Sequence, residues 1–108
     1  MTRHLPGLVL LPLALAAGCG RPPQLGADPA ALRAVDALYT AIGLRDPALV
    51  DRSASALSRL QGEGKLTPAA GAALDRIIAE GKGGAWESAQ GRLSGFMEGQ
   101  RPAPGGRR

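Results

Sequence analysis

Residues 28 to 50 read Asp28-Pro29-Ala30-Ala31-Leu32-Arg33-Ala34-Val35-Asp36-Ala37-Leu38-Tyr39-Thr40-Ala41-Ile42-Gly43-Leu44-Arg45-Asp46-Pro47-Ala48-Leu49-Val50, and this stretch decides the fold. It holds one signal twice, Asp28-Pro29-Ala30 and Asp46-Pro47-Ala48, and a third copy follows at Thr67-Pro68-Ala69. Each marks a helix start. The Asp or Thr oxygen accepts an N–H of the first turn, and proline at the first helical position wastes no donor and has its φ already set. Gly81-Lys82-Gly83-Gly84 stops one helix, and Ala85-Trp86-Glu87 opens a fourth.

The apolar spacing agrees with these boundaries. Leu32, Val35, Leu38, Tyr39 and Ile42 share a helical face, as do Leu49, Val50, Ala54, Leu57 and Leu60. The third segment offers Ala70, Leu74, Ile77 and Ile78, and the fourth Trp86, Ala89, Leu93, Phe96 and Met97. Gly91 and Gly95 weaken that last helix by about 1 kcal/mol each against alanine unless helices cross closely there. No segment reads as a strand. Connections of three to six residues make neighbouring helices antiparallel, so the expected fold is all-α: four short helices over residues 28–98, packed as two antiparallel hairpins. Only eighteen large apolar side chains lie in that span, so alanines must supply close helix approach.

The whole chain has 108 residues, a formal charge of +4, one cysteine and one histidine. A single small domain is the ceiling, no intrachain disulfide is available, and almost every Cys/His metal site is excluded. The charge is unevenly placed. Residues 28–98 hold eight basic and nine acidic side chains, whereas Arg3, Arg21, Arg101, Arg107 and Arg108 lie in the ends. The basic balance therefore describes the termini, not a basic face, and nucleic acid is not an expected partner.

Ahead of the helices, Arg3 and the amino terminus precede an apolar run from Leu5 to Ala17 that ends in small residues, the anatomy of a secretory signal peptide. The run is interrupted by Pro6 and Pro12 and falls well short of the ~20 apolar residues a membrane span needs. It closes on Leu15-Ala16-Ala17-Gly18-Cys19, followed by Gly20-Arg21-Pro22-Pro23. Here the sequence resembles the lipobox of bacterial lipoproteins, with Ala16 at the place where that family prefers leucine. The resemblance implies that residues 1–18 are removed, that Cys19 receives a diacylglyceryl group, and that further acylation of its new amino terminus is common. It also implies that Gly20, in place of aspartate, favours the outer membrane in a two-membrane cell. Two other readings stay open. Ala14-Leu15-Ala16 fits ordinary signal-peptide cleavage and hence a secreted, unlipidated protein, and a lone cysteine is often a small buried hydrophobe.

Residues 19–27 then form a Pro/Gly tether, extended and solvated, whose last eight residues could span about 26 Å. Residues 99–108, with Gln100 to Arg108 reading QRPAPGGRR, bury nothing and are expected to be disordered. Within the folded part, Gly84 to Phe96 resembles the second helix of a tetratricopeptide repeat. The preceding helix departs from that pattern at Arg76 and Glu80, where the family places apolar or aromatic residues, and a solenoid needs about three repeats. The likeness therefore supports helical hairpins and nothing more.

Little chemistry is on offer. A chain beginning at a lipidated Cys19 has neither histidine nor free thiol, and no nucleophile elbow, phosphate loop or clustered metal-ligating carboxylates appear. The glycines around Lys82 are in the wrong order for a phosphate cradle and serve as a helix stop. Asp46 and Asp51 sit near a helix start, where negative charge is favoured, and Asp75 and Glu80 show no pairing with each other. Ser53, Ser55 and Ser58 read as a polar or partner-facing stripe, since no general base accompanies them. The expectation is a non-catalytic protein with no catalytic, metal or cofactor site, no cofactor and no small-molecule substrate. Its partners would be the membrane through lipidated Cys19 and another envelope protein or a second copy of itself. In an alternative reading it is an envelope spacer or anionic-surface binder, and Arg101, Arg107 and Arg108 make the contacts.

Overall fold

A computed structural model describes residues 22–100, so the expected signal peptide (residues 1–18), Cys19, Arg101, Arg107 and Arg108 lie outside the described residues. The described chain is all-α. Its helices are α1 (Pro29–Gly43), α2 (Pro47–Gly62), α3 (Pro68–Lys82) and α4 (Trp86–Glu98). The three expected caps are in place. Asp28 accepts from the Ala30 N–H at 2.9 Å, Asp46 from those of Ala48 and Leu49 at 3.1 and 3.2 Å, and Thr67 from Ala70 at 3.2 Å. α4 starts at Ala85 with no side-chain cap.

The helices stop by one repeated device. The Asp46 N–H reaches the Ala41 carbonyl and that of Arg45 the Ile42 carbonyl; Lys65 and Gly64 repeat this on Leu60 and Gln61, and Ala85 and Gly84 on Glu80 and Gly81. This is the Schellman pattern, which puts one residue in the left-handed region and recovers the orphan carbonyls of the last turn. Gly64 (φ 77°) and Gly84 (φ 103°) take that position without a Cβ penalty, but at the first stop the residue is Arg45 (φ 55°). The short connections pair α1 with α2 and α3 with α4 as hairpins, and α1 against α4 and α2 against α3 close the bundle.

The core runs along Val35, Leu38 and Ile42 of α1, Val50, Leu57 and Leu60 of α2, Leu74, Ile77 and Ile78 of α3, and Leu93 and Phe96 of α4. Alanine fills the close approaches, with Ala31, Ala41, Ala70 and Ala89 almost wholly buried. Two expectations about the helix faces need correction, and the condition set on Gly91 and Gly95 is settled. Leu32 is 51% exposed, because the inward stripe of α1 starts at Ala31 and passes through Val35, Leu38 and Ile42, leaving Leu32 one position round the helix. Ser53 does not belong to an exposed serine stripe: it is 8% exposed, on the Val50–Leu57–Leu60 face, while Ser55 and Ser58 face outward. No helix crosses at Gly91 or Gly95, where a Cβ would meet nothing within 4 Å. The close approach of α3 and α4 is at Gly81 instead, where a Cβ would lie 3.4 Å from the Trp86 ring and 3.5 Å from Ala89.

The segment before α1 differs most from expectation. Pro22 to Leu25 is non-helical, as its prolines require, but it is not wholly solvated: Pro22, Pro23 and Gln24 are half-buried, and Leu25 is 3% exposed and belongs to the core. The reason is that its backbone finds partners. The Thr67 hydroxyl, while capping α3, donates to the Gln24 carbonyl at 2.7 Å, and the Thr67 N–H donates to the Leu25 carbonyl at 3.3 Å. Buried apolar surface with satisfied polar groups outweighs the ordering cost of a short non-helical segment. Among the described residues no helix is long and apolar enough to cross a membrane.

Candidate functional site

The strap Pro22–Leu25 is locked by Gln100, two residues past α4. This residue was expected in a disordered tail that buries nothing, but it is half-buried and fully hydrogen-bonded because the strap supplies its partners. Gln100 Oε1 accepts the Leu25 N–H at 2.8 Å, and its Nε2 donates to the carbonyls of Pro23 at 3.0 Å and Phe96 at 2.9 Å. Gln24 answers from the other side, its Nε2 donating to the Gly99 carbonyl at 3.1 Å. Only an amide side chain supplies donor and acceptor together in this way. Gly99 lies against the Pro22 ring so closely that a Cβ there would clash with it. The two ends of the domain are thereby clasped side by side.

Beside the clasp lies a groove of about 700 Å³ between α3 and α4, with Pro22 and Pro23 forming one rim. Positions 73, 76, 77 and 80 of α3 fall at helical spacing on one face, and positions 92 and 96 of α4 do the same. The lining combines apolar Ala73, Ile77 and Phe96 with the charged Arg76, Glu80 and Arg92. Arg92 Nε sits 3.0 Å from Glu80 Oε1, and the Ser88 hydroxyl donates to Glu80 Oε2 at 2.7 Å. The Ser88 hydroxyl holds the Glu80 carboxyl below its ordinary range; partial burial opposes this, and the Arg92 guanidinium adds to the lowering. Glu80 is thus an ionised acceptor near neutral pH, unsuited to donating a proton. Arg76 makes no ion pair among the described residues.

Elsewhere the polar surface does structural work. A hollow of about 380 Å³ lies between the strap and the α2–α3 connection, lined by Leu25, Asp28, Lys65 and Thr67 among others. The Lys82–Asp51, Arg45–Glu87 and Lys65–Glu63 pairs are exposed, a setting in which such contacts contribute about 0 to 1 kcal/mol. Lys82 is thus engaged with Asp51, and Gly84 follows the carbonyl end of α3, so this glycine cluster is the helix stop its order suggested. No group of three or more His, Cys, Asp or Glu side chains among the described residues is placed to hold a metal ion.

Of the residues singled out in the sequence, Cys19 and Arg101, Arg107 and Arg108 lie outside the described residues, yet their attachment points do not. Pro22 follows Cys19 by three residues, Gln100 immediately precedes Arg101, and the clasp holds these two points together. The groove itself was not anticipated. Its only sequence signal was the pair Arg76 and Glu80, standing where a tetratricopeptide helix would be apolar; nothing marked Gln24 or Gln100. No family model, curated protein or solved structure matches this chain.

Proposed function

We propose that this chain is a small lipoprotein of the bacterial cell envelope, anchored in the membrane through lipidated Cys19, with a helical domain that serves as a non-catalytic protein-interaction module. The observation that carries the reading is the sequence Leu15-Ala16-Ala17-Gly18-Cys19 at the end of a short apolar run. Acyl chains on Cys19 would contribute about 0.8 kcal/mol per buried methylene, and two or more chains give stable anchoring. The domain supports the module reading through its surface. Leu32 and, at 63% exposed, Leu44 are large apolar side chains facing solvent on α1 and at its end, offered as single contact points rather than as a contiguous apolar patch.

Intact mass and membrane fractionation of the wild type beside Cys19→Ser, expressed in a bacterium, test the proposal. A mature chain starting at Cys19 with added acyl mass, lost from the membrane in the serine variant, is the expected result. A product cut after Ala16 without acyl mass, or an uncut chain, overturns it.

A further inference from the structure

We propose that the groove between α3 and α4 is the membrane-facing side of the domain and seats the phosphodiester headgroups of anionic phospholipids. This rests on the lipid-anchor reading above and adds an orientation and a ligand to it.

Position comes first. The strap is held from Pro22 onward, and Pro22 with Pro23 forms a rim of the groove. Only Gly20 and Arg21 separate this rim from Cys19. Three residue steps reach at most about 11 Å, and the headgroup layer on each side of a bilayer is roughly 5 to 8 Å deep. A cysteine acylated at the hydrocarbon boundary would therefore keep this rim within reach of the phosphates, and the attraction of the groove for anionic headgroups would decide how closely it faces them.

Charge and shape agree with that placement. The floor is apolar, from Ala73, Ile77 and Phe96, and two guanidiniums line the walls. The one carboxylate in the groove, Glu80, is occupied by Arg92 and Ser88, and Arg76 has no acidic partner among the described residues. The groove is thus net positive although residues 28–98 as a whole are net negative. The clasp brings the chain out after Gln100 beside the same rim, and in sequence Arg101 follows Gln100 directly as Arg21 directly precedes Pro22. Cations next to an acyl anchor are the second signal that strengthens attachment to anionic lipid. Like charge sets the arginine-bearing tail against Arg76 and Arg92, which disfavours it as the occupant of the groove.

The test uses the acylated mature protein, in which Ala73→Cys places a single reactive thiol in the groove. The protein is reconstituted into vesicles of phosphatidylcholine alone or mixed with phosphatidylglycerol, and labelled with a membrane-impermeant maleimide. Labelling should slow about fivefold or more on phosphatidylglycerol at low salt, as expected for about one basic residue's attraction. The rate should recover in high salt, where the attraction is screened. It should also recover when Arg76→Gln and Arg92→Gln are combined with the thiol. Ser55→Cys, exposed on α2 outside the groove, should label equally on both vesicles.

Equal rates for Ala73→Cys on the two lipids overturn the proposal. So does slowing by inorganic phosphate in detergent micelles, which would mark a small-anion site, or slowing that depends on protein density, which would mark a second copy. Absence of acyl mass on Cys19 refutes the anchor and the orientation together, whereas acylated protein with equal labelling refutes the orientation alone.

Discussion

Replacing Gln100 by alanine removes three hydrogen bonds at once: the acceptor for the Leu25 N–H at 2.8 Å and the donors to the Pro23 and Phe96 carbonyls at 3.0 and 2.9 Å. Each such bond contributes a net ~0.5 to 1.5 kcal/mol, and half-burial lets water replace part of it, so the lower half of the range applies. The expected loss is about 2 kcal/mol, bounded above by release of the strap with Leu25, whose burial contributes roughly 1.5 to 3 kcal/mol. For a domain of this size that lowers Tm by about 8 to 16 °C. Chemical denaturation reads the global loss, and amide exchange at Leu25 reads the strap itself. Gln100→Glu sharpens the test, since it keeps an acceptor for Leu25 but turns an anion toward two carbonyl oxygens; it is expected to cost at least as much as alanine. Stability within about 0.5 kcal/mol of wild type for either variant, or an unprotected Leu25 amide in the wild type, would refute the clasp.

Arg45→Gly should raise stability by about 0.5 to 1 kcal/mol, because glycine relieves the left-handed strain at φ 55° and the exposed pair with Glu87 at 3.8 Å contributes little; a destabilised variant in thermal unfolding contradicts this. Gly91→Ala should stabilise α4 by up to about 1 kcal/mol, since a Cβ there meets nothing within 4 Å; an unchanged or lower denaturation midpoint tells against an open site. Leu93→Ala, at a fully buried position, should cost about 2 to 5 kcal/mol and leave the bundle partly or wholly unfolded by circular dichroism. The Glu80 carboxyl is held low, so the stability tied to it is fully present above the ordinary glutamate pKa of about 4.3 and is lost as pH falls through the lowered folded value. Ser88→Ala should move the Glu80 carboxyl titration, followed by NMR, upward toward the ordinary range; an unmoved titration would remove the hydroxyl as the leading cause.

What the sequence disclosed and what it hid divide along one physical line. Helix starts are local: Asp28, Asp46 and Thr67 each act within three residues, and their Pro-Ala companions leave no competing reading. Helix stops are nearly as local, yet of the three only that at Gly81 to Gly84 was read; Gly64 lacked a glycine run to mark it, and the left-handed Arg45 is a residue type that disfavours that region. The strap and the groove depend on partners 75 and 77 residues away, Gln24 on Gly99 and Gln100 on Pro23. Composition said correctly that Pro22 to Ala27 avoids helix, but it cannot say whether such a segment meets solvent or a waiting row of donors and acceptors. The misreading of Ser53 and Leu32 has the same origin. A helical face about 100° wide includes residues at its margin, and only the packing neighbours settle which of them face inward.

The clasp changes what a lipid anchor at Cys19 would do. An eight-residue solvated tether would let the domain roam and present every face in turn, so a partner would bear the cost of orienting it. With the chain held from Pro22, only three residue steps would separate a lipidated Cys19 from the domain, and the domain would sit with its Pro22 rim close to the bilayer. In the proposed orientation the groove side would face lipid, and the exposed apolar side chains Leu32 and Leu44 would remain for protein contact. This order of events can be separated experimentally: Gln100→Ala should loosen orientation, raising Ala73→Cys labelling on phosphatidylglycerol vesicles, while leaving the acyl mass and membrane fractionation untouched. Labelling that stays slow once the clasp is broken would show that the groove finds the membrane without the strap's guidance, and the orienting role would pass from the clasp to Arg76 and Arg92 alone.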